Sequence, residues 1–144
     1  MIDLRENPTC VILDIGCVRS VSSRKAANAF LKAWQNKGNT VEVLPSNASF
    51  KFANSEETTC KEKMRIWFNT DPCIYTDVDI IEEGNVPILM SLPQMQNLRF
   101  TLEATPEEVF LSCTSLAYFR KPLKMSTPRH LVVDLCDIVA PVFS

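Results

Sequence analysis

Asp14 is the residue whose type and surroundings most clearly suggest chemistry in this sequence. It follows the apolar residues 10–13, which are typical of a buried strand, and it precedes Ile15 and Gly16. A carboxylate at the end of a buried strand is rarely left without a partner, because it loses its hydration there. Taken alone, the motif favours a turn aspartate that caps local backbone amides, with Gly16 at positive φ.

Nucleophilic catalysis has weaker candidates. His130 is the single histidine, and it lies in a strand-like run beside no obvious nucleophile or acid. Cys17 could be a reactive thiol, although a buried structural cysteine is the favoured interpretation. The six cysteines are irregularly spaced and contain no Cys-x-x-Cys pair, which argues against a zinc site.

Two acidic pairs are the remaining candidates for a site. Asp77 with Asp79, and Glu82 with Glu83, could bind a metal through their carboxylates. Solvent-facing carboxylates that alternate along an exposed strand are the favoured explanation. The sequence therefore predicts neither a metal site nor a cofactor.

Composition narrows the class of protein. The 144 residues carry a net charge of −2 and are 46% hydrophobic, which is typical of one soluble globular domain. This charge argues against nucleic acid or an anionic membrane as the main ligand. Three glycines are too few for a glycine-rich phosphate loop. Without a visible signal peptide or spanning segment, we expect an intracellular, cytoplasmic protein with reduced thiols.

The elements that must position Asp14 are mostly strands. After Cys17 to Val21, which should be extended, Ser22 or Ser23 can cap a helix over 24–37 that ends at Gly38. Its apolar stripe is formed by Ala27, Phe30, Leu31 and Trp34. Alternating apolar residues then predict strands, and Ser91 can cap a second, short helix. The predicted class is mostly β with one long and one short helix.

Three segments, taken together, resemble retropepsin-like aspartic proteases of Copia- and Gypsy-type retrotransposons. Residues 11–21, Val-Ile-Leu-Asp-Ile-Gly-Cys-Val-Arg-Ser-Val, resemble the active-site strand and loop of that family. Residues 86–95 are similar to its second signature, an apolar run that leads into a short helix. Residues 49–56 are similar to its flap hairpin, and the helix over 24–37 resembles an insertion of the retroelement forms. The resemblance covers about residues 8 to 104.

The resemblance implies a retropepsin-like fold: a closed, barrel-like β structure with an inserted amphipathic helix and a short helix, one lobe per chain. It implies an endopeptidase that cleaves a retroelement polyprotein as a homodimer, with one catalytic aspartate per subunit and no cofactor. Asp14 would be the catalytic residue, and the active-site loop would contain Ile15, Gly16 and Cys17. Phe52, Ala53, Asn54 and Ser55 would close over an extended peptide substrate.

Departures from the family pattern suggest an alternative. Ile15 stands where the family has Thr or Ser, whose hydroxyl bonds across the dimer axis, and Ser91 replaces a glycine. The flap-like segment also lacks glycine. The alternative is a catalytically weak or inactive module of the same fold that dimerises or binds peptides; an unrelated all-β structural domain is a third class.

The expected organisation has three parts. Residues 1–112 form the retropepsin-like domain, and residues 113–129 form a basic, proline-containing linker. Residues 130–144 form a C-terminal strand, which we expect at the dimer interface.

Overall fold

The structure is a computed structural model that describes residues 3–51, 57–69, 74–116, 118–126 and 130–138. In this part of the chain strands predominate, which confirms the predicted class. The strands are β1 (Cys10–Asp14), β2 (Val21–Ser23), β3 (Val41–Pro45), β4 (Ser49–Lys51), β5 (Glu57–Thr59), β6 (Glu62–Trp67), β7 (Tyr75–Ile81), β8 (Leu89–Ser91), β9 (Phe100–Ala104), β10 (Val109–Cys113), β11 (Tyr118–Pro122), β12 (Lys124–Met125) and β13 (Leu131–Asp134). The helices are α1 (Arg24–Asn36), α2 (Leu92–Asn97) and α3 (Leu135–Ile138), with a 3-10 turn at Thr114–Leu116.

Eight strands form one large mixed sheet in the order β12-β13-β1-β8-β2-β7-β6-β3. Within the described residues the edge strands β12 and β3 each pair with a single neighbour and do not pair with each other. The sheet is therefore open, and the prediction of a closed barrel is wrong. A closed barrel would need β12 and β3 to form hydrogen bonds with each other. However, β12 has only two residues, and β3 ends at Pro45, which has no N–H to donate. Three strands form a second sheet, β11-β10-β9, and β4 pairs with β5.

Helix α1 confirms the predicted amphipathic helix. The Ser23 side chain accepts a hydrogen bond from the Ala26 N–H, which satisfies one free amide of the first turn. Phe30 and Trp34 lie on the buried face and stack with their ring centroids 5.1 Å apart. The helix ends at Asn36, and Gly38 follows with φ +79°, a conformation that favours glycine. At 13 residues α1 is the longest described helix, and none of them is long and apolar enough to cross a membrane.

The large sheet buries different side chains on its two faces. Val11 and Leu13 of β1 point into the main core, where α1 packs. Cys10 and Ile12 alternate with them and belong to a separate small cluster on the opposite face. Because side chains alternate along a strand, Asp14 lies on the same face as Cys10 and Ile12. We call this the outer face of the sheet.

The hairpin β4–β5 covers part of this outer face. Its strands pair in the register Ser49 with Thr59 through Lys51 with Glu57. Ala48 and Cys60, at the base of the hairpin, pack with Val21 of β2 in a small buried cluster. The hairpin that resembles a flap therefore rests on the face that carries Asp14.

The segment 113–129 holds strands where a linker was expected. β11 pairs with β10, and β12 pairs with β13, which in turn pairs with β1. Arg120, one of the charges that suggested a linker, forms an ion pair with Glu103 across the three-stranded sheet and lies over the Phe110 ring. Residues 131–134 thus pair inside the chain's own sheet, next to the Asp14 strand; a contribution of residues 130–144 to a dimer stays a prediction.

Candidate active site

Asp14 lies half-buried at the last position of β1, and its carboxylate is bonded within its own loop. Oδ1 accepts a hydrogen bond from the Gly16 N–H at 3.0 Å, and Oδ2 accepts one from the Cys17 thiol at 3.2 Å. The Cys17 N–H also donates to the Asp14 carbonyl at 3.2 Å, which closes a turn. Asp14 therefore has the local partners that a turn aspartate requires.

Gly16 has a different role from the expected one. The glycines with positive φ in the described residues are Gly38 and Gly84, so a left-handed Gly16 is a wrong expectation. A Cβ at Gly16 would instead lie 3.3 Å from Asp14 Oδ1. A larger residue here would therefore press on the carboxylate, which would have to shift by a few tenths of an ångström.

Strand β8 brings the second sequence motif next to Asp14. β1 and β8 pair in parallel, with Asp14 opposite Ser91, and α2 begins immediately afterwards at Leu92. The Leu92 N–H donates to the Cys17 carbonyl at 3.3 Å, which joins the start of α2 to the Asp14 loop. The two motifs that carried the family resemblance thus lie side by side.

Ser91 is held by a partner that the sequence analysis missed. The hydroxyl of Ser20 accepts a hydrogen bond from the Ser91 N–H at 2.9 Å and lies 3.3 Å from the Ser91 hydroxyl. Both side chains are buried. Ser91 was predicted to cap α2 and does precede it, but its side chain makes no capping hydrogen bond. In the sequence, Ser20 is only a small polar residue within a segment expected to be extended, so nothing marks it as a partner of Ser91.

The surface next to Asp14 is apolar. Ile15 is 68% exposed and Val18 is 79% exposed, both within the loop that follows Asp14. Leu92, at the start of α2, is 40% exposed. Large apolar side chains exposed together are typical of surfaces that another molecule covers.

The prediction that Asp79 faces solvent is wrong. Asp79 is 3% exposed, and its carboxylate accepts hydrogen bonds from Arg19 Nε at 2.9 Å and from the Ser46 hydroxyl at 2.7 Å. The residue lies on the outer face beside the base of the hairpin β4–β5, which shields it from solvent. Arg19 and Ser46 are further residues that the sequence analysis did not single out.

Most of the other acidic residues that were candidates for a metal site form ion pairs instead. Asp77 binds Arg65 and Lys63; burial would raise the pKa of Asp77, but these hydrogen bonds outweigh it and lower the pKa. Glu82 binds Arg24, and this hydrogen bond holds the pKa of Glu82 below its usual value. Within the described ranges, no three His, Cys, Asp or Glu side chains are placed to hold a metal ion.

Within the described residues, no hydrogen bond joins the nucleophile candidates Cys17 and His130. His130 is exposed at the start of β13, where its backbone N–H donates to Ser126. Burial, followed by the hydrogen bond and the negative charge of Asp14, raises the pKa of the Cys17 thiol to about 11. Cys17 is therefore protonated at neutral pH and acts as a hydrogen-bond donor to Asp14.

The flap residues Phe52, Ala53, Asn54 and Ser55 lie outside the described residues. The strands that precede and follow them, β4 and β5, form the hairpin described above. A cavity of about 460 Å³ lies near the N-terminus of α1, lined among others by Cys10, Ser23 and Val86. None of its lining residues belongs to the loop that follows Asp14.

The chain matches no protein-family model and no curated protein sequence. The chemistry that Asp14 can perform depends on the geometry of its own surroundings. That geometry is a half-buried carboxylate at a strand end, bonded within a tight loop beside the start of a short helix, with a hairpin packed against the same face of the sheet.

Proposed function

We propose that the chain is an aspartic endopeptidase that acts as a homodimer and cleaves peptide bonds of a retroelement polyprotein. The observation that carries this proposal is the parallel pairing of β1 with β8, in which Asp14 lies opposite Ser91. It joins the Asp-x-Gly loop to the run that leads into α2. The two segments are distant in the sequence, and the resemblance to retropepsin-like proteases requires them to form one site.

One carboxylate per chain makes the dimer part of the chemistry. Two Asp14 carboxylates that meet at a dimer axis share one proton, because like charges at short range cannot both be ionised. The ionised member takes a proton from a water molecule as that water attacks the scissile carbonyl carbon. The protonated member donates its proton to the carbonyl oxygen, which gives a tetrahedral diol. The aspartate that took the proton from water then gives it to the amide nitrogen, the other aspartate takes a proton from one diol hydroxyl, and the C–N bond breaks to give a carboxylic acid and an amine.

The apolar tip of the Asp14 loop supports association with a second copy. Ile15 and Val18 are mostly exposed in the single chain. Burying an apolar side chain away from water lowers the free energy, so these two side chains favour contact with another surface. Contact between two such loops would cover these side chains and bring the Asp14 residues together. The proposed dimer thus uses apolar contact where the family uses a hydroxyl.

The hairpin β4–β5 supports a peptide substrate. Its strands rest on the outer face, which also carries Asp14. An extended peptide held between a hairpin and a sheet is recognised mainly through backbone hydrogen bonds. Residues 52–55 are therefore proposed to bind substrate, as the resemblance implies.

The test compares wild type with the Asp14→Asn variant on peptide libraries from about pH 4 to pH 7. Asparagine keeps the size of the side chain but cannot transfer the proton, so cleavage should be lost. Asp3→Asn, which alters an exposed aspartate near the N-terminus, is the matched control and should cleave like wild type. Equal cleavage by the Asp14→Asn variant would remove Asp14 from the mechanism.

A second candidate function is a catalytically weak or inactive module of the same fold that binds peptides or dimerises. The observation in its favour is that both Asp14 oxygens are bonded within the loop while Ile15 offers no hydroxyl to a partner loop. Peptide binding or dimerisation by wild type without cleavage at any pH in the range would support this function instead.

A further inference from the structure

Arg19 lies on the same side of β8 as β2, in the segment that leads into that strand, whereas Asp14 ends β1 on the other side of β8. β8 lies between β1 and β2, and Ser91 is opposite Asp14 on one side while it bonds to Ser20 on the other. Neighbouring strands are about 5 Å apart, so the backbone at Ser20 is about 10 Å from Asp14. Arg19 directly precedes Ser20, and its side chain reaches Asp79 on the outer face.

The guanidinium of Arg19 is fixed along one edge. Its Nε donates to Asp79 Oδ2 at 2.9 Å, and Asp79 Oδ1 is held by the Ser46 hydroxyl at 2.7 Å. The Asp79 N–H donates to the Ser20 carbonyl at 2.9 Å, which ties β7 to the residue next to Arg19. Because the Asp79 carboxylate is buried and bonded on both oxygens, it anchors the Nε side of the guanidinium.

The other edge of the guanidinium is available to a ligand. The Arg19 side chain is 53% exposed, and in the described part of the chain its only hydrogen-bond partner is Asp79, through Nε. The two terminal nitrogens form a planar fork that matches the two oxygens of a carboxylate. This fork lies on the face that carries both Asp14 and the base of the hairpin at Ser46.

We propose that Arg19 selects an acidic side chain of the peptide substrate. This inference rests on the proposed function, in which an extended peptide lies between Asp14 and the hairpin β4–β5. A homodimer contains two copies of Arg19 related by its axis. The preferred peptide therefore carries Glu or Asp at positions equally distant from the scissile bond, one on each side.

The experiment measures binding of fluorescent octapeptides to the full chain carrying Asp14→Asn, which prevents cleavage. Each peptide has Glu at one position, and its twin has Gln at that position. With Arg19 present, Glu at the selected positions should bind about tenfold more tightly than Gln, because a charge-assisted hydrogen bond replaces a neutral one. The preference should shrink at high salt, since the pair is partly exposed.

Three further variants separate substrate selection from folding. Arg19→Gln should lose the preference for Glu, while Arg19→Lys keeps the charge beside the buried Asp79 and should retain part of it. Arg120→Gln, which removes an exposed arginine from the separate three-stranded sheet, should keep the full preference. Thermal unfolding of all variants shows whether each one is folded at the assay temperature.

The outcomes distinguish this inference from the proposed function. Equal binding of every Glu peptide and its Gln twin, or no binding of either, would overturn the role of Arg19. Cleavage of peptides by wild type without any preference for Glu would overturn it too, while supporting the endopeptidase. Glu-selective binding that depends on Arg19 would support it, even if wild type cleaves none of the peptides and the endopeptidase proposal fails.

Discussion

Asp14 on β1 lies directly opposite Ser91 on β8, and the Ser91 N–H is held from the other side by the hydroxyl of Ser20. Residues 15–19 therefore pass around the end of β8, where α2 begins. The Leu92 N–H bonds to this connection at the Cys17 carbonyl. The loop, the helix start and the segment that leads into β2 form one hydrogen-bonded unit, so the position of Asp14 depends on all three.

Replacing Ile15 by Thr should strengthen the proposed dimer. Ile15 is 68% exposed, so the single chain tolerates the change. Threonine keeps the β-branch and one methyl group for contact between the loops, and it adds the hydroxyl that the family uses across the dimer axis. One such hydrogen bond contributes about 1 kcal/mol, so the dimer dissociation constant should fall by about fivefold, or cleavage should rise. Sedimentation equilibrium and a peptide-cleavage assay measure the two quantities.

Val18→Thr is the matched control for this substitution. Val18 is 79% exposed in the same loop, and the change from a β-branched apolar residue to threonine is similar. It should not strengthen the dimer. No gain from Ile15→Thr in dimer affinity or in cleavage would show that the two loops do not meet as proposed.

Removing the Ser20 hydroxyl should destabilise the fold. Ser20→Ala leaves the buried Ser91 N–H without this acceptor, at a cost of about 1–3 kcal/mol. Ser22→Ala is the control, because Ser22 is also buried but its hydroxyl only donates to the Ser23 carbonyl. Urea unfolding should show a clearly larger loss for Ser20→Ala; equal losses would mean that the Ser20–Ser91 bond has no special role.

The Cys17 thiol should make stability depend on alkaline pH. Its pKa is about 11 in the folded chain against 9.0 in a free thiol, so the folded state favours the protonated form. That contribution is fully present below about pH 9, and it is lost as the pH rises through about 11. The free energy of unfolding should therefore decrease over this window.

Cys17→Ser tests this dependence directly. A serine hydroxyl can still donate to Asp14 Oδ2, but it does not titrate in this range. Chemical unfolding at several pH values should give a shallower decrease for the variant than for wild type. Parallel curves for the two proteins would exclude Cys17 as a source of the pH dependence.

Local signals in the sequence were sufficient for much of the fold. The stripe of Phe30 and Trp34 between Ser23 and Gly38 predicts α1 closely, because caps and periodicity act within a few residues. Alternation likewise predicts that Met64 and Ile66 of β6 are buried. The turn at Asp14 is local as well, since its partners are two and three residues away.

Local signals in the sequence do not predict contacts between elements that are distant along the chain. Alternation places Asp79 on the face opposite Val78, but it does not reveal that the hairpin β4–β5 covers that face. The bond between Ser20 and Ser91 joins residues 71 positions apart, and neither residue type predicts the other. The basic segment around Arg120 looked like a linker because its partner, Glu103, lies on another strand.

Gly16→Ala should impair the candidate site more than it impairs folding. A Cβ there would lie 3.3 Å from Asp14 Oδ1, which is tight, so the carboxylate must shift by a few tenths of an ångström. Its hydrogen bond from the Gly16 N–H, now 3.0 Å, would lengthen. Because catalysis is sensitive to such displacements, kcat/KM for peptide cleavage should fall by about tenfold.

Gly84→Ala serves as the control, because it should impair folding without impairing the candidate site. Gly84 has φ +88° and open space where a Cβ would lie, so alanine there is strained without touching Asp14. Left-handed backbone costs a residue with a Cβ about 1–2 kcal/mol, so Tm should fall while kcat/KM below the transition stays at the wild-type value. If Gly16→Ala instead cleaved like wild type, the position of the Asp14 carboxylate would not limit the reaction, and its close contact with Gly16 would be a feature of the turn alone.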